Sequence, residues 1–249
     1  MSASVPDRPL ELAGQTVVVI GASSGIGLET ARQVRAAGGQ VVMAARDPRR
    51  LERAAAEVGP LSTAILDAFD TDRVREFFAE LPHPVDHVLS TVGGPLYGPL
   101  ADLDPAEAGR YFGERLAMVL GIAQHGGSRV RAGGTLLFIG GTGGRRPGVG
   151  LSVIAAMTAA LPALTANLAL ELAPVRVNVI APGFVDTPMS AALLGDRLDA
   201  RREQLRASLP IGRVVGAADV AALAVHVMRN EALTGAAYDI DGGQLLLPQ

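Results

Sequence analysis

Val17-Val18-Val19-Ile20-Gly21-Ala22-Ser23-Ser24-Gly25-Ile26-Gly27 joins an apolar run to a turn of small residues and then to a helical pattern. The helix runs over residues 25–37 and closes at Gly38-Gly39. A strand–turn–helix junction with so little side-chain bulk lets backbone N–H groups approach a pyrophosphate, and the positive end of the helix dipole adds to the attraction. The spacing Gly21-x3-Gly25-x-Gly27 differs from the common G-x-G-x-x-G, so the loop alone suggests a dinucleotide site without proving one. A glycine-rich turn that holds no ligand is the alternative.

Outward from this junction, short apolar runs alternate with helical patterns. Strands are expected at residues 15–20, 41–45, 61–66, 85–91, 135–139, 175–180 and 236–240. Helices are expected at 49–58, 72–80, 105–125, 151–172, 190–208 and 217–229. Continuously apolar strands spaced by helices imply a parallel sheet covered on both faces. Right-handed crossovers then give a doubly wound sheet. The expected fold is α/β, one Rossmann-type domain over residues 12–249 with about seven strands, preceded by a tail at residues 1–11. No repeat or linker divides it.

Composition narrows the function. Of 249 residues, 49% are apolar and 19% charged, enough for one large core. A net charge of -3 gives no field to attract nucleic acid or acidic membranes. Without cysteine there is no thiolate nucleophile or thiolate metal site. His83, His87, His125 and His226 show no ligand spacing, and no metal is expected. The N-terminal residues lack a signal pattern, so a cytoplasmic protein is expected. Residues 147–170 are free of charge and about as long as a membrane span, but Ser152, Thr158, Pro162, Thr165 and Asn167 interrupt them. A helix buried against both a sheet and a partner subunit has the same composition.

With these motifs in order, the chain resembles the short-chain dehydrogenases/reductases from about Leu12 to Leu246. Gly21, Ser23, Ser24, Gly25, Ile26 and Gly27 match that family's phosphate loop. Asp67, with Ala68 beside it, matches the acid that accepts from the adenine amino group. Val92 and Gly93 end the fourth strand. Arg176-Val177-Asn178-Val179-Ile180-Ala181-Pro182-Gly183 matches the sixth-strand motif, and Val185 and Thr187 follow where the nicotinamide carboxamide is held. Asp241-Gly242-Gly243 closes the last strand. The resemblance also implies a homotetramer or homodimer, with helices 105–125 and 151–172 in one interface.

Charge argues the cofactor. The residue ending strand two sits beside the adenosine ribose, where an acid would favour NAD. That place holds Ala45, followed by Arg46, and a guanidinium suits a 2′-phosphate. NADP(H) is expected over NAD(H), unless Arg46 is an ordinary surface arginine. Arg49 and Arg50 add to the field or simply solvate a helix start.

The catalytic pattern departs from the family. All 22 basic residues are arginine, and there is no lysine anywhere. Counted against the family's Ser, Tyr, Lys and Asn positions, this chain carries Gly141, Ile154, Thr158 and Arg115. Tyrosine has a pKa of about 10 and needs a neighbouring cation to work near neutrality; Ile154 and Thr158 replace neither partner. Arg115 offers a fixed charge that can stabilise an oxyanion but cannot serve as a proton donor; an Arg115 paired with a carboxylate is the alternative. Thr142 and Tyr97 are further candidates at the pocket, with backbone-bonding and packing roles as alternatives. Arg145 and Arg146 are candidates for meeting an anionic substrate. Phe184, Met189, Leu193 and Leu194 suggest an apolar small-molecule substrate, or else pack a lid on its own domain. Three functions stay open: an oxidoreductase of divergent mechanism, a non-redox enzyme such as a cyclase or isomerase, and a non-catalytic cofactor-binding subunit.

Overall fold

The computed structural model describes residues 11–247. Of the expected tail only Glu11 falls among them, and its carboxylate pairs with Arg229 at 2.6 Å. The elements follow in strict alternation: β1 (Thr16–Ile20), α1 (Gly25–Ala36), β2 (Gln40–Ala45), α2 (Pro48–Val58), β3 (Ser62–Ile65), α3 (Thr71–Glu80) and β4 (Val85–Ser90). The second half contains α4 (Pro105–Gly127), β5 (Val130–Ile139), α5 (Ser152–Glu171), β6 (Arg176–Pro182), α8 (Ala217–Arg229) and β9 (Ala237–Ile240). Between β6 and α8 lie β7 (Val185–Asp186), α6 (Pro188–Leu194), α7 (Leu198–Ser208) and β8 (Val215–Gly216).

Seven strands form one sheet in the order β3-β2-β1-β4-β5-β6-β9, every pair parallel. The order reverses between β1 and β4, which opens the crevice at their C-terminal ends where such sheets bind ligands. Strand side chains alternate between two cores. Val18, Ile20, Val88, Leu136 and Phe138 face one core with Phe78, Met118, Ile122, Met157 and Leu161 from the helices. Val17, Val19, Leu89, Leu137 and Ile180 face the other with Val34, Leu51, Val220 and Val227. Burial on both faces explains why Val17–Ile20 is apolar throughout rather than alternating.

Two expectations need correction, and one small ladder was not expected. The helix expected over 190–208 is two helices, broken at Gly195, whose φ of +51° no helix accommodates. The fifth strand begins at Val130 rather than at residue 135, with its register against β4 shifted between Val85 and His87. The two-stranded β7-β8 ladder has only two residue pairs, too short to leave a periodic signal.

Arg176 and Asn178 of the sixth-strand motif tie β6 to the segment after α8. Arg176 is buried, and its guanidinium donates to the carbonyls of Gly133, Val227, Met228, Asn230 and Leu233. It therefore gathers the carbonyls at and beyond the C-terminal end of α8, where a cation is favoured. Asn178 donates to the Leu233 carbonyl at 2.8 Å and holds the same segment to β6. The apolar α5 is long enough to cross a membrane, but Met157, Leu161 and Leu168 seat it on the sheet.

Candidate functional site

The glycine loop is shaped by close approach. Gly21 sits at φ +93°, and a β-carbon there would overlap Thr91 Oγ1. One at Gly27 would lie 2.8 Å from the Gly21 carbonyl carbon and 2.9 Å from Thr91 Oγ1. The start of α1 is thus pressed against the loop leaving β4, and only glycine fits. Ser24 caps α1 with extended backbone but makes no side-chain cap bond, and the first turn of α1 holds no acid. The Ser23 and Ser24 hydroxyls flank a helix N-terminus whose N–H groups are free to meet an anion. Ile26 is half-buried behind them.

The other residues expected to hold a dinucleotide converge on this loop. Thr187 returns to it: a β-carbon at Gly25 would lie 3.6 Å from Thr187 Cβ. Thr187 caps α6 by accepting from the Ser190 amide at 3.3 Å. Pro182 and Gly183 are fixed by Thr142, whose amide donates to the Pro182 carbonyl at 3.0 Å, and by the Gly183 amide, which donates to Ile240. Val185 is buried two residues on. Asp67 is exposed after β3 and accepts from the Phe69 amide at 3.1 Å, with Ala68 buried beside it. Arg46 is exposed immediately after Ala45, and among the described residues it forms no ion pair, whereas Arg50 pairs with Asp47 at 3.3 Å. The cradle fits a dinucleotide phosphorylated on its ribose: small residues where phosphate oxygens must approach, and an uncommitted guanidinium at the ribose end.

Beside the cradle, the residues counted against the family's Ser, Tyr, Lys and Asn positions come together in part. A β-carbon at Gly141 would lie 3.4 Å from Thr158 Cγ2, so the two positions face each other. The Thr158 hydroxyl turns back on its own helix, donating to the Ile154 carbonyl at 2.9 Å. Ile154 is half-buried. A cavity of about 180 Å³ lies behind them, lined by Gly141, Thr158, Pro162 and Val179 among others. Pro162 has no N–H to return to the Thr158 carbonyl, so the interruption of α5 falls on the wall of that cavity.

Arg115 has no carboxylate partner among the described residues. It is only 8% exposed. Its guanidinium donates to the Gly94 carbonyl at 3.3 Å and stands 5.6 Å from the Tyr111 ring centroid. Tyr111 in turn donates its hydroxyl to the same carbonyl at 3.0 Å. At Gly93, whose φ is +119°, a β-carbon would overlap Arg115 Nη1 and Cζ, so a side chain there would be strained and would displace the guanidinium. The expected alternative of an ion-paired Arg115 is therefore not what the fold builds.

Other candidates separate. Arg145 is corrected: it forms a paired contact with Asp239, one bond at 2.7 Å, which neutralises it. Arg146 donates to the Gln244 carbonyl instead. Arg201, which carried no signal in the sequence, lies over the Phe184 ring at 5.8 Å. Met189 and Leu193 stand exposed on α6 rather than packing it down, while Leu194 is half-buried. Tyr97 is half-exposed, and burial raises its hydroxyl pKa. Thr142 is buried, but its hydroxyl does not cap the following turn. His87 is buried with Nε2 2.7 Å from Gln15 Oε1; burial, reinforced by the Arg176 charge, lowers its pKa to about 3. Among the described residues no group of metal-ligand type is clustered.

Known proteins resemble this chain in sequence and fold. Residues 21–244 match the family model for enoyl-(acyl carrier protein) reductase. The chain is 31% identical over 253 residues to the short-chain dehydrogenase/reductase ATR9 of Stachybotrys chlorohalonatus, covering 94% of this chain and 98% of that protein. A small-chain dehydrogenase solved in complex with NADPH superposes with a TM-score of 0.81 at 31% identity, over 94% of this chain and 99% of that one. A variant of the actinorhodin polyketide ketoreductase, solved with NADPH, gives a TM-score of 0.81 at 26% identity over 92% of this chain and 96% of that one.

Proposed function

Because the chain belongs to the short-chain dehydrogenase/reductase family, we propose that it is an NADP(H)-dependent oxidoreductase with a non-standard active site, acting on a small, largely apolar organic substrate. The observation that carries this is an intact cofactor cradle beside a buried, carboxylate-free arginine. Gly21, Ser23, Ser24 and the α1 amides would hold the pyrophosphate, Arg46 the 2′-phosphate, Asp67 the adenine, and Pro182, Gly183 and Thr187 the nicotinamide end. When bound, the nicotinamide supplies the hydride.

This chain's own residues then set what can be reduced. Gly141, Ile154 and Thr158 provide no proton donor, since the one hydroxyl is committed to its helix. Arg115 is held by Gly94 and Tyr111 and presents a fixed charge where negative charge develops on the substrate. Substrates whose protonation is left to solvent, such as an activated carbon–carbon double bond or an imine, fit this arrangement better than a simple ketone. Exposed Met189 and Leu193 supply an apolar wall. We place the chain in the cytoplasm as a homotetramer or homodimer, with the exposed faces of α4 and α5 in the interface.

The test is stoichiometric: consumption of NADPH with each candidate acceptor, in the wild type and in Arg115→Met. One NADPH consumed per product, abolished in the variant, supports the proposal. The want of a proton donor at Gly141, Ile154 and Thr158 favours one second function, a cyclase or isomerase keeping the cofactor as a wall of its pocket; product formed with no NADPH consumed would select it.

A further inference from the structure

After β5 and β6 stand two half-buried arginines, Arg146 and Arg201, whose charge nothing among the described residues neutralises. Arg145, Arg202 and Arg213 all meet carboxylates: Asp239, Asp186 with Asp199, and Asp219 respectively. Arg146 and Arg201 do not. Arg146 gives one N–H to the Gln244 carbonyl. Arg201 gives one N–H to Gln204 Oε1 at 2.7 Å and lays its guanidinium over Phe184. Gln244 joins the two, because its side-chain Oε1 accepts from the Phe184 amide at 2.9 Å. Both arginines are half-buried, and burial together with the nearby Arg146 charge lowers the pKa of Arg201.

Two half-buried guanidinium charges near one another repel, and an anion bound between them would relieve that repulsion. Several guanidinium N–H groups on each remain uncommitted and suit the flat fork of an oxyanion. The residues assigned to the cofactor's phosphates end other strands of the sheet. Arg46 and the glycine loop end β2 and β1, whereas Arg146 follows β5 and Phe184 follows β6. From β1 to β5 is two strand spacings and to β6 three, about 10–14 Å across the sheet. The pair instead borders the Pro182-Gly183 turn through Phe184 and Gln244.

We propose that Arg146 and Arg201 form an oxyanion clamp for the substrate, so that the apolar compound carries a carboxylate or phosphate group at one end. Phe184 supports the clamp from below, and Gln244 sets its spacing. This deepens the oxidoreductase proposal and rests on it for the identity of the pocket.

The test measures binding of 2-naphthoate, 2-naphthyl phosphate and 2-naphthamide to the NADPH-loaded protein by calorimetry, in the wild type and in Arg146→Gln/Arg201→Gln. The clamp predicts at least one anionic probe binding tenfold or more tighter than the amide, with that preference falling to within twofold in the double variant. The tighter of the two anions identifies carboxylate or phosphate as the group held. NADPH affinity should stay within twofold, because neither arginine touches the cradle. Equal binding of anion and amide, no saturable binding, or a preference that survives in the double variant overturns the clamp. Should NADPH itself fail to bind, the oxidoreductase proposal falls, while the anion-to-amide ratio measured on the protein alone still decides the clamp. If the double variant does not fold, the single variants Arg146→Gln and Arg201→Gln each carry the same test.

Discussion

The Arg115 guanidinium occupies the volume that a side chain at Gly93 would need, and the neighbouring Gly94 carbonyl accepts a hydrogen bond from it at 3.3 Å. The absence of a side chain at one position and the presence of a large cation at the other are thus one feature. Arg115→Met should lower kcat by about 10²–10³, the usual effect of removing a preorganised charge from a developing oxyanion. Near-normal NADPH affinity and an unchanged unfolding midpoint should accompany the loss. Unaltered turnover would remove Arg115 from the chemistry.

Gly93→Ala tests the packing half of that relationship. The β-carbon meets Arg115, and alanine resists a positive φ, so a destabilisation of about 1–3 kcal/mol is expected from strain alone. In Gly93→Ala/Arg115→Met the overlap is gone, and the double variant should be more stable than the sum of the single effects by about 0.5–3 kcal/mol. Strict additivity in urea unfolding would mean the two residues do not compete for space.

Arg46 governs the choice between nicotinamide cofactors. Arg46→Ala should weaken NADPH binding at least tenfold, about 1.4 kcal/mol, while NADH binding barely moves. An equal loss for both cofactors would point to damage in the glycine loop rather than to a lost phosphate contact.

Much of this was legible in sequence because the informative residues are consecutive. Gly21 to Gly27 forms turn, cradle and helix start in one stretch, and Val17–Ile20 records burial on both faces in its own composition. Periodicity located the seven strands for the same reason. What stayed hidden depends on partners far along the chain. Arg145 looked as free as Arg146 until the fold brought Asp239 to it across 94 residues. Arg201 looked like any helix arginine until the break at Gly195 turned α7 back over Phe184. Nothing local distinguished an ion-paired Arg115 from one held by a carbonyl and a ring.

His87 gives a pH signature unrelated to catalysis. Its folded pKa is lowered to about 3, first by burial and then by Arg176. The unfolded chain binds the proton near pH 6.5, so stability is full above that value and falls as pH drops toward 3. Between pH 7.5 and 5.0 the folded state should lose about 2 kcal/mol from this group. His87→Gln should flatten the urea midpoint over that window, before most carboxylates begin to titrate. An equal slope in the variant would assign the effect elsewhere.

The most direct measurement of the central claim is calorimetric titration of the purified protein with NADPH and with NADH. The cradle and Arg46 predict micromolar NADPH binding with NADH at least tenfold weaker. Binding of neither cofactor, or tighter binding of NADH, would contradict an NADP(H)-dependent oxidoreductase.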